Sequence, residues 1–146
     1  MFGRALLETP AALKVTLFLY LYPEPKFILM EYTIFKPEYL VTVTGGDPEV
    51  MEEIAGIFMN QIPEFVTEMN ELLENEKYHE LGLLAHKAKG SVSVMGMDDT
   101  AIMLKEFELL AKAGEQKERY RDFIQKFRDD ASTVTAELRD YLSRSR

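Results

Sequence analysis

The sequence predicts an all-α protein: an antiparallel up-down four-helix bundle with a short extra N-terminal helix. Three features point there. Apolar residues recur three and four positions apart over four long stretches, which is the spacing of a buried helical stripe. The joints between these stretches are short and carry Gly, Pro and Asp, the residues that stop and start helices. Short loops between amphipathic helices imply antiparallel neighbours.

The elements follow in order. Lys36 to Thr44 reads as a short helix stopped by Gly45-Gly46. Asp47-Pro48-Glu49 opens the second helix, with Asp as N-cap, Pro at the first helical position and an acid in the first turn. Its expected core stripe is Val50, Ile54, Ile57, Phe58, Phe65, Met69 and Leu72. Pro63 falls inside the pattern, and because the stripe resumes in phase it is expected to kink the helix without ending it. A third helix spans about Lys77 to Met95 around Leu81, Leu84, Ala85, Ala88, Val92 and Met95. In Gly96-Met97-Asp98-Asp99 the glycine ends one helix and an Asp caps the next. The fourth helix turns Leu104, Phe107, Leu110 and Ala111 inward and stops at Gly114. The fifth runs from about Glu115 to Leu142 with Tyr120, Phe123, Ile124, Phe127, Ala131, Val134, Leu138 and Tyr141 on one side.

Residues 30–146 are therefore expected to form the bundle domain, and residues 1–29 an extension of another kind. Val15 to Tyr22 is rich in β-formers, Pro23-Glu-Pro-Lys26 is a turn signal, and Phe27 to Phe35 is a second candidate strand. A lone hairpin is marginal in water. Met30 is an alternative start, which makes the preceding residues a start-site artefact or a loosely ordered tail. A docked hairpin or helix is the other reading. The apolar run is too short for a bilayer span, which takes about 20 residues, and Pro-Glu-Pro-Lys stands where a signal-peptide cleavage site needs small residues.

The chain has 146 residues, is 47% hydrophobic and carries a net charge of −8. That is one domain's length with material for a real core. The negative charge argues against nucleic acid or an acidic membrane surface as partner. The absence of cysteine excludes disulfides and thiolate metal sites.

Histidine chemistry is confined to His79 and His86. His86 lies in Ala85-His86-Lys87-Ala88-Lys89-Gly90, with a lysine three and a glycine four residues on, so all three share one patch of helix surface. An imidazole nitrogen can accept a phosphoryl group, an ammonium can steady its charge, and a glycine leaves room for a partner. Helical geometry sets the direction. With Leu81 as the core direction, Ala85, Ala88, Val92 and Met95 fall within about 40° of it and His86 about 140° away, toward solvent. Gly90 lies opposite the core, with Leu83, Gly82, Ser93 and His79 around the same face, and Lys89 flanks it at about 80°. A mid-helix glycine costs about 1 kcal/mol relative to alanine. Gly90 is read as a place of close approach by another protein. For Gly82, packing against a neighbouring helix is the competing reading. On the second helix Ala55, Met59, Ile62 and Val66 widen the apolar arc. Contact with both neighbouring helices explains that width; alternatively Met59 or Ile62 belongs to a docking patch beside His86.

The stretch Asp47 to Gly114 resembles a histidine-containing phosphotransfer domain, the carrier of multistep two-component phosphorelays. The residues that carry the likeness are Gly45-Gly46-Asp47-Pro48-Glu49, Ala85-His86-Lys87-Ala88-Lys89-Gly90-Ser91, Gly96, and Leu104-Lys105-Glu106-Phe107-Glu108. It covers most of residues 36–142 and nothing before Met30. The resemblance implies that His86 is the phosphorylated residue, that Lys89 contacts the phosphoryl group and that Gly90 lets a receiver domain close in. Lys87 departs from the family, which often has an uncharged residue there. Leu83, Lys87, Ser93, Met59 and Ile62 are the expected docking residues. The implied partners are response-regulator receiver domains and a hybrid sensor kinase, with Mg²⁺ held by the receiver and no cofactor or metal on this chain. No glycine-rich nucleotide loop is present, so ATP use is not expected. A cytoplasmic monomer is the expected setting, and a piece of a larger hybrid kinase is a further possibility. Two rivals differ in class. Glu76-x-x-His79 has the spacing of di-iron bundles, but those need two such motifs pointing inward. A non-catalytic interaction bundle is the other.

Overall fold

The computed structural model describes residues 32–145, and among them all regular structure is helical. The helices belong to a compact unit that begins at Ile34. They are α1 (Pro37–Thr44), α2 (Pro48–Glu74), α3 (Tyr78–Val94), α4 (Asp98–Ala113) and α5 (Tyr120–Arg144), with a 3-10 turn at Lys117–Arg119 before α5. None of the described helices is long and apolar enough to cross a membrane. The expectations for Val15–Tyr22, Pro23–Lys26 and the extension as a whole lie outside the described residues. The second candidate strand enters them only at its end, where Tyr32–Phe35 form no strand.

The helix ends follow local chemistry, with one correction. Asp47 caps α2, its carboxylate accepting from the backbone N–H of Glu49 at 2.9 Å and of Val50 at 3.4 Å. Asp98 does not cap α4; Met97 holds the N-cap position without a side-chain bond. The Asp98 carboxylate instead accepts from the Lys36 ammonium at 2.6 Å and the Tyr39 hydroxyl at 3.1 Å, which ties α1 to the start of α4. Gly96 lies beneath this joint with φ +68°, a conformation other residues resist, and a Cβ there would meet the Lys36 Cβ at 2.5 Å. The last long helix starts at Tyr120, later than the periodicity suggests. Gln116 takes a left-handed turn, and the Tyr120 hydroxyl lies 2.8 Å from the Leu110 carbonyl and 2.6 Å from that of Glu115, closing the end of α4.

The core side of α3 is the expected one: Leu81, Leu84, Ala85, Ala88, Val92 and Met95 are all buried. The core side of α2 differs. Met51, Ala55, Phe58, Ile62 and Met69 are buried, while Val50 and Ile57 are exposed and Ile54, Phe65 and Leu72 are half-buried. An apolar arc wider than one stripe leaves its centre undetermined until the neighbouring helices are placed. The α2 helix runs through Pro63 without ending. Aromatic rings knit α4 and α5, with Phe107 stacked on Phe123 at 5.0 Å and tilted against Tyr120 at 5.6 Å. A buried hydrogen bond from the Thr100 hydroxyl to Asp130 at 2.9 Å joins the same pair of helices. Phe35 is buried, and its N–H donates to the Glu137 carboxylate of α5 at 2.9 Å.

The two mid-helix glycines of α3 have opposite surroundings. Gly82 is buried, contrary to the solvent-facing placement that the helical period suggests. A Cβ on it would meet the Lys112 Cγ at 2.7 Å, the Glu108 carbonyl oxygen at 2.9 Å and the Lys112 nitrogen at 3.0 Å. It is the point where α3 and α4 touch backbone to backbone. Gly90 has nothing within 4 Å of an added Cβ. Matched alanine substitutions therefore diverge. Gly90→Ala gains up to about 1 kcal/mol from helix propensity. Gly82→Ala loses about 1 to 2 kcal/mol, because overpacking at the contact exceeds the same propensity gain. Denaturation curves of the two variants check this; two equal shifts would show that Gly82 is not a contact point.

Candidate functional site

The face around Gly90 is built by α3, with α2 on one side and α4 on the other. The His86 side chain is 58% exposed and points outward. Its Nδ1 lies 3.0 Å from Oε1 of Glu108, whose own side chain is only 3% exposed. The close approach at Gly82, one turn earlier on α3, brings Glu108 within reach. Glu108 has two further partners on its own helix. Lys112 donates to the same Oε1 at 2.8 Å, and Lys105 to Oε2 at 3.2 Å.

Burial acts to raise the Glu108 carboxyl, since the charged form loses water. Hydrogen bonds from Lys112, His86 and Lys105 outweigh it and bring the group down from 4.5 to about 2. Glu108 is thus ionised throughout the neutral range and can only accept hydrogen bonds. The proton of the neutral imidazole must then sit on Nδ1, which leaves the lone pair of Nε2 uncommitted.

Glu108 is the residue that sequence reasoning missed. It lies between Phe107 and the inward Ala111, at the margin of the core stripe, with lysines three residues before and four after. That pattern reads as an ordinary solvated ion-pair face. Only the packing of α3 on α4 shows the carboxylate buried and aimed at a histidine.

The expected docking residues divide. Leu83, Lys87 and Ser93 are exposed on α3. Met59 and Ile62 lie elsewhere and are corrected. Ile62 is buried, and both line a groove against Arg128, Ser132 and Thr135 of α5. From α2, Ile54, Ile57, Phe58 and Gln61 line a shallow groove of about 330 Å³ together with Lys87, Gly90, Ser91 and Val94. A hydrogen bond from the Ser91 hydroxyl to Gln61 at 3.0 Å joins α3 to α2 there. Lys89 is half-buried, and no hydrogen bond or ion pair among the described residues holds its ammonium. His79 is exposed on the first turn of α3. Among the described residues no group of three or more acidic or histidine side chains is placed to hold a metal ion.

A family model described as the Hpt domain matches residues 53–146, from the first half of α2 through α3, α4 and α5. The chain belongs to the Hpt domain family. Comparison with curated proteins and with solved structures returned no match. Hpt domains act in two-component phosphorelays with receiver domains and kinases, and this Hpt protein takes part in such a relay. The matched range includes His86, Lys89, Gly90 and Glu108.

The depressed Glu108 carboxyl makes a prediction for acid. A group lowered in the folded state contributes stability above its unfolded value, and that contribution is lost as pH falls toward the folded value. Wild type should exceed Glu108→Gln in unfolding free energy at pH 5 to 6, and the excess should shrink between about pH 4.5 and 2. Urea melts of both proteins across this range test it; a constant difference would mean that folding does not lower the Glu108 carboxyl.

Proposed function

We propose that this Hpt domain carries a phosphoryl group on Nε2 of His86, taking it from a receiver-domain aspartate and passing it to a second receiver. The observation that carries this reading is the exposed imidazole whose Nδ1 is bound to a buried, ionised Glu108. The Nε2 lone pair attacks phosphorus as the bond to the aspartyl oxygen breaks, and the carboxylate leaves with the bonding electrons. The ring gains positive charge, and Nδ1–H stays on Glu108, whose negative charge stabilises it. The second transfer runs the same steps in reverse toward another aspartate. The Mg²⁺ that screens the transferring phosphoryl oxygens is assigned to the receiver.

Lys89, three residues after His86 and without a partner among the described residues, is assigned to the phosphoryl oxygens. Gly90, with open space above it, is assigned to the approach of the receiver. The receiver docks across Leu83, Lys87, Ser93 and the Ile54–Ile57 side of α2. Those residues combine exposed apolar area with one positive charge. We read the four long helices as an antiparallel up-and-down bundle with α1 at one end. The short joints support this, as does the pairing of early α3 with late α4 at Gly82 and Lys112.

Incubation with a phosphorylated receiver tests the reading. Wild type should acquire acid-labile, base-stable phosphate. His86→Gln should keep its fold and acquire none, while His79→Gln should label normally. Labelling of His86→Gln would overturn the assignment.

Within the site, charge and access separate. Lys89→Ala should slow transfer and shorten the life of the phosphohistidine with little change in stability, since no hydrogen bond or ion pair among the described residues holds the ammonium that is removed. Gly90→Leu should abolish transfer while stability is unchanged or up to about 1 kcal/mol higher. A transfer time course beside a melting curve decides; wild-type transfer by Gly90→Leu would mean that the receiver approaches elsewhere.

A further inference from the structure

We infer that Lys105 and Lys112 are positioning residues for the phosphoryl-accepting histidine: by sharing Glu108 with His86, they hold the carboxylate in place and keep the imidazole neutral at neutral pH. The inference rests on His86 being the acceptor and adds a role to residues outside the His-x-x-Lys-Gly motif.

A carboxylate bound to Nδ1 orients the ring and stabilises the charge that develops on it during attack. The same carboxylate, buried and unshared, also stabilises the imidazolium before any reaction. An imidazolium has protons on both nitrogens and no lone pair with which to attack phosphorus. The acceptor therefore needs Glu108 close but partly neutralised.

The geometry meets that need. One oxygen of Glu108, Oε1, accepts from both His86 Nδ1 at 3.0 Å and Lys112 Nζ at 2.8 Å, and Oε2 accepts from Lys105 Nζ at 3.2 Å. Two ammonium groups thus surround one carboxylate, giving these three groups a net positive charge beside the imidazole. Every ionic contact of the cluster among the described residues comes from α3 and α4. On α3, Lys89 and Lys87 are the other charges flanking His86, and both oppose its protonation in the same sense. The contacts of Lys105 and Lys112 are with the carboxylate that binds Nδ1, so they act on the ring through Glu108. Both are lysines on flexible stems, but the buried carboxylate they share fixes their ends. Lys105, Glu108 and Lys112 stand three and four residues apart on one helix face, so α4 delivers the whole set.

The test uses the intact protein with phosphoramidate as a small-molecule phosphoryl donor, which removes receiver docking from the measurement. The proteins are wild type, Lys105→Met, Lys112→Met, the double Met variant, the two Lys→Arg variants and Glu108→Gln. The readouts are an NMR titration of the His86 ring and the labelling rate from pH 5.5 to 9. In the double Met variant the midpoints of the titration and of the rate profile should both rise by about one pH unit. Labelling near pH 7 should then fall several-fold and recover to the wild-type level by pH 9. The Arg variants should behave as wild type, which separates charge from packing. Glu108→Gln should move the midpoint the other way. A double variant whose rate falls equally at every pH, with the ring titration unmoved, would overturn the inference and assign the lysines to the phosphoryl group itself. Failure of the wild type to label at any pH would overturn the phosphocarrier reading instead, and the ring titration would still report on the two lysines.

Discussion

The contact between α3 and α4 at Gly82 is the constraint on which the site depends. With hydrogen in place of a side chain, the α3 backbone lies against the Glu108 carbonyl and the Lys112 backbone. At that separation a carboxylate from α4 can bond an imidazole on α3 while remaining almost wholly buried. A wider spacing would admit water between the helices and weaken every ionic contact in the cluster. The glycine that costs the isolated helix stability is thus what brings the functional groups of two helices into contact.

Around that contact the fold separates rigid and accessible parts. The buried sides of α3, α4 and α5 are closed by Leu81, Ala85, Leu104, Phe107, Phe123 and Phe127. The opposite face of α3 is open at Gly90, and its neighbours Leu83 and Ile57 expose apolar surface. The His86 imidazole on this face is held from beneath by Glu108 and open to solvent from above.

The charge pattern is also layered. The chain as a whole is strongly negative, with a net charge of −8, yet the ground around His86 carries Lys87, Lys89, Lys105 and Lys112. A local positive field on an acidic protein favours an anionic group at one place and not across the surface. Two of these lysines are bound to Glu108, and no ion pair among the described residues holds the other two. The four therefore divide between two that neutralise the buried carboxylate and two that stand beside the imidazole without an ionic partner among the described residues.

Much of this was legible in the sequence. Local signals determined the helices and most of their ends: Asp47-Pro48, Gly96 and Gly114 act through backbone geometry that needs no distant neighbour. The outward direction of His86 and Gly90 and the inward side of α3 followed from helical period alone, because one narrow stripe has one centre. The wide apolar arc of α2 had no such centre, so Met59 and Ile62 were placed beside His86 when they belong to the α5 side. Asp98 had the chemistry of a cap, but Lys36 and Tyr39, about sixty residues away in sequence, claim its carboxylate. Gly82 and Glu108 were undecidable from the chain for the same reason. A missing side chain and a carboxylate between two lysines acquire meaning only from the helix that packs against them, and helical period says nothing about which helix that is.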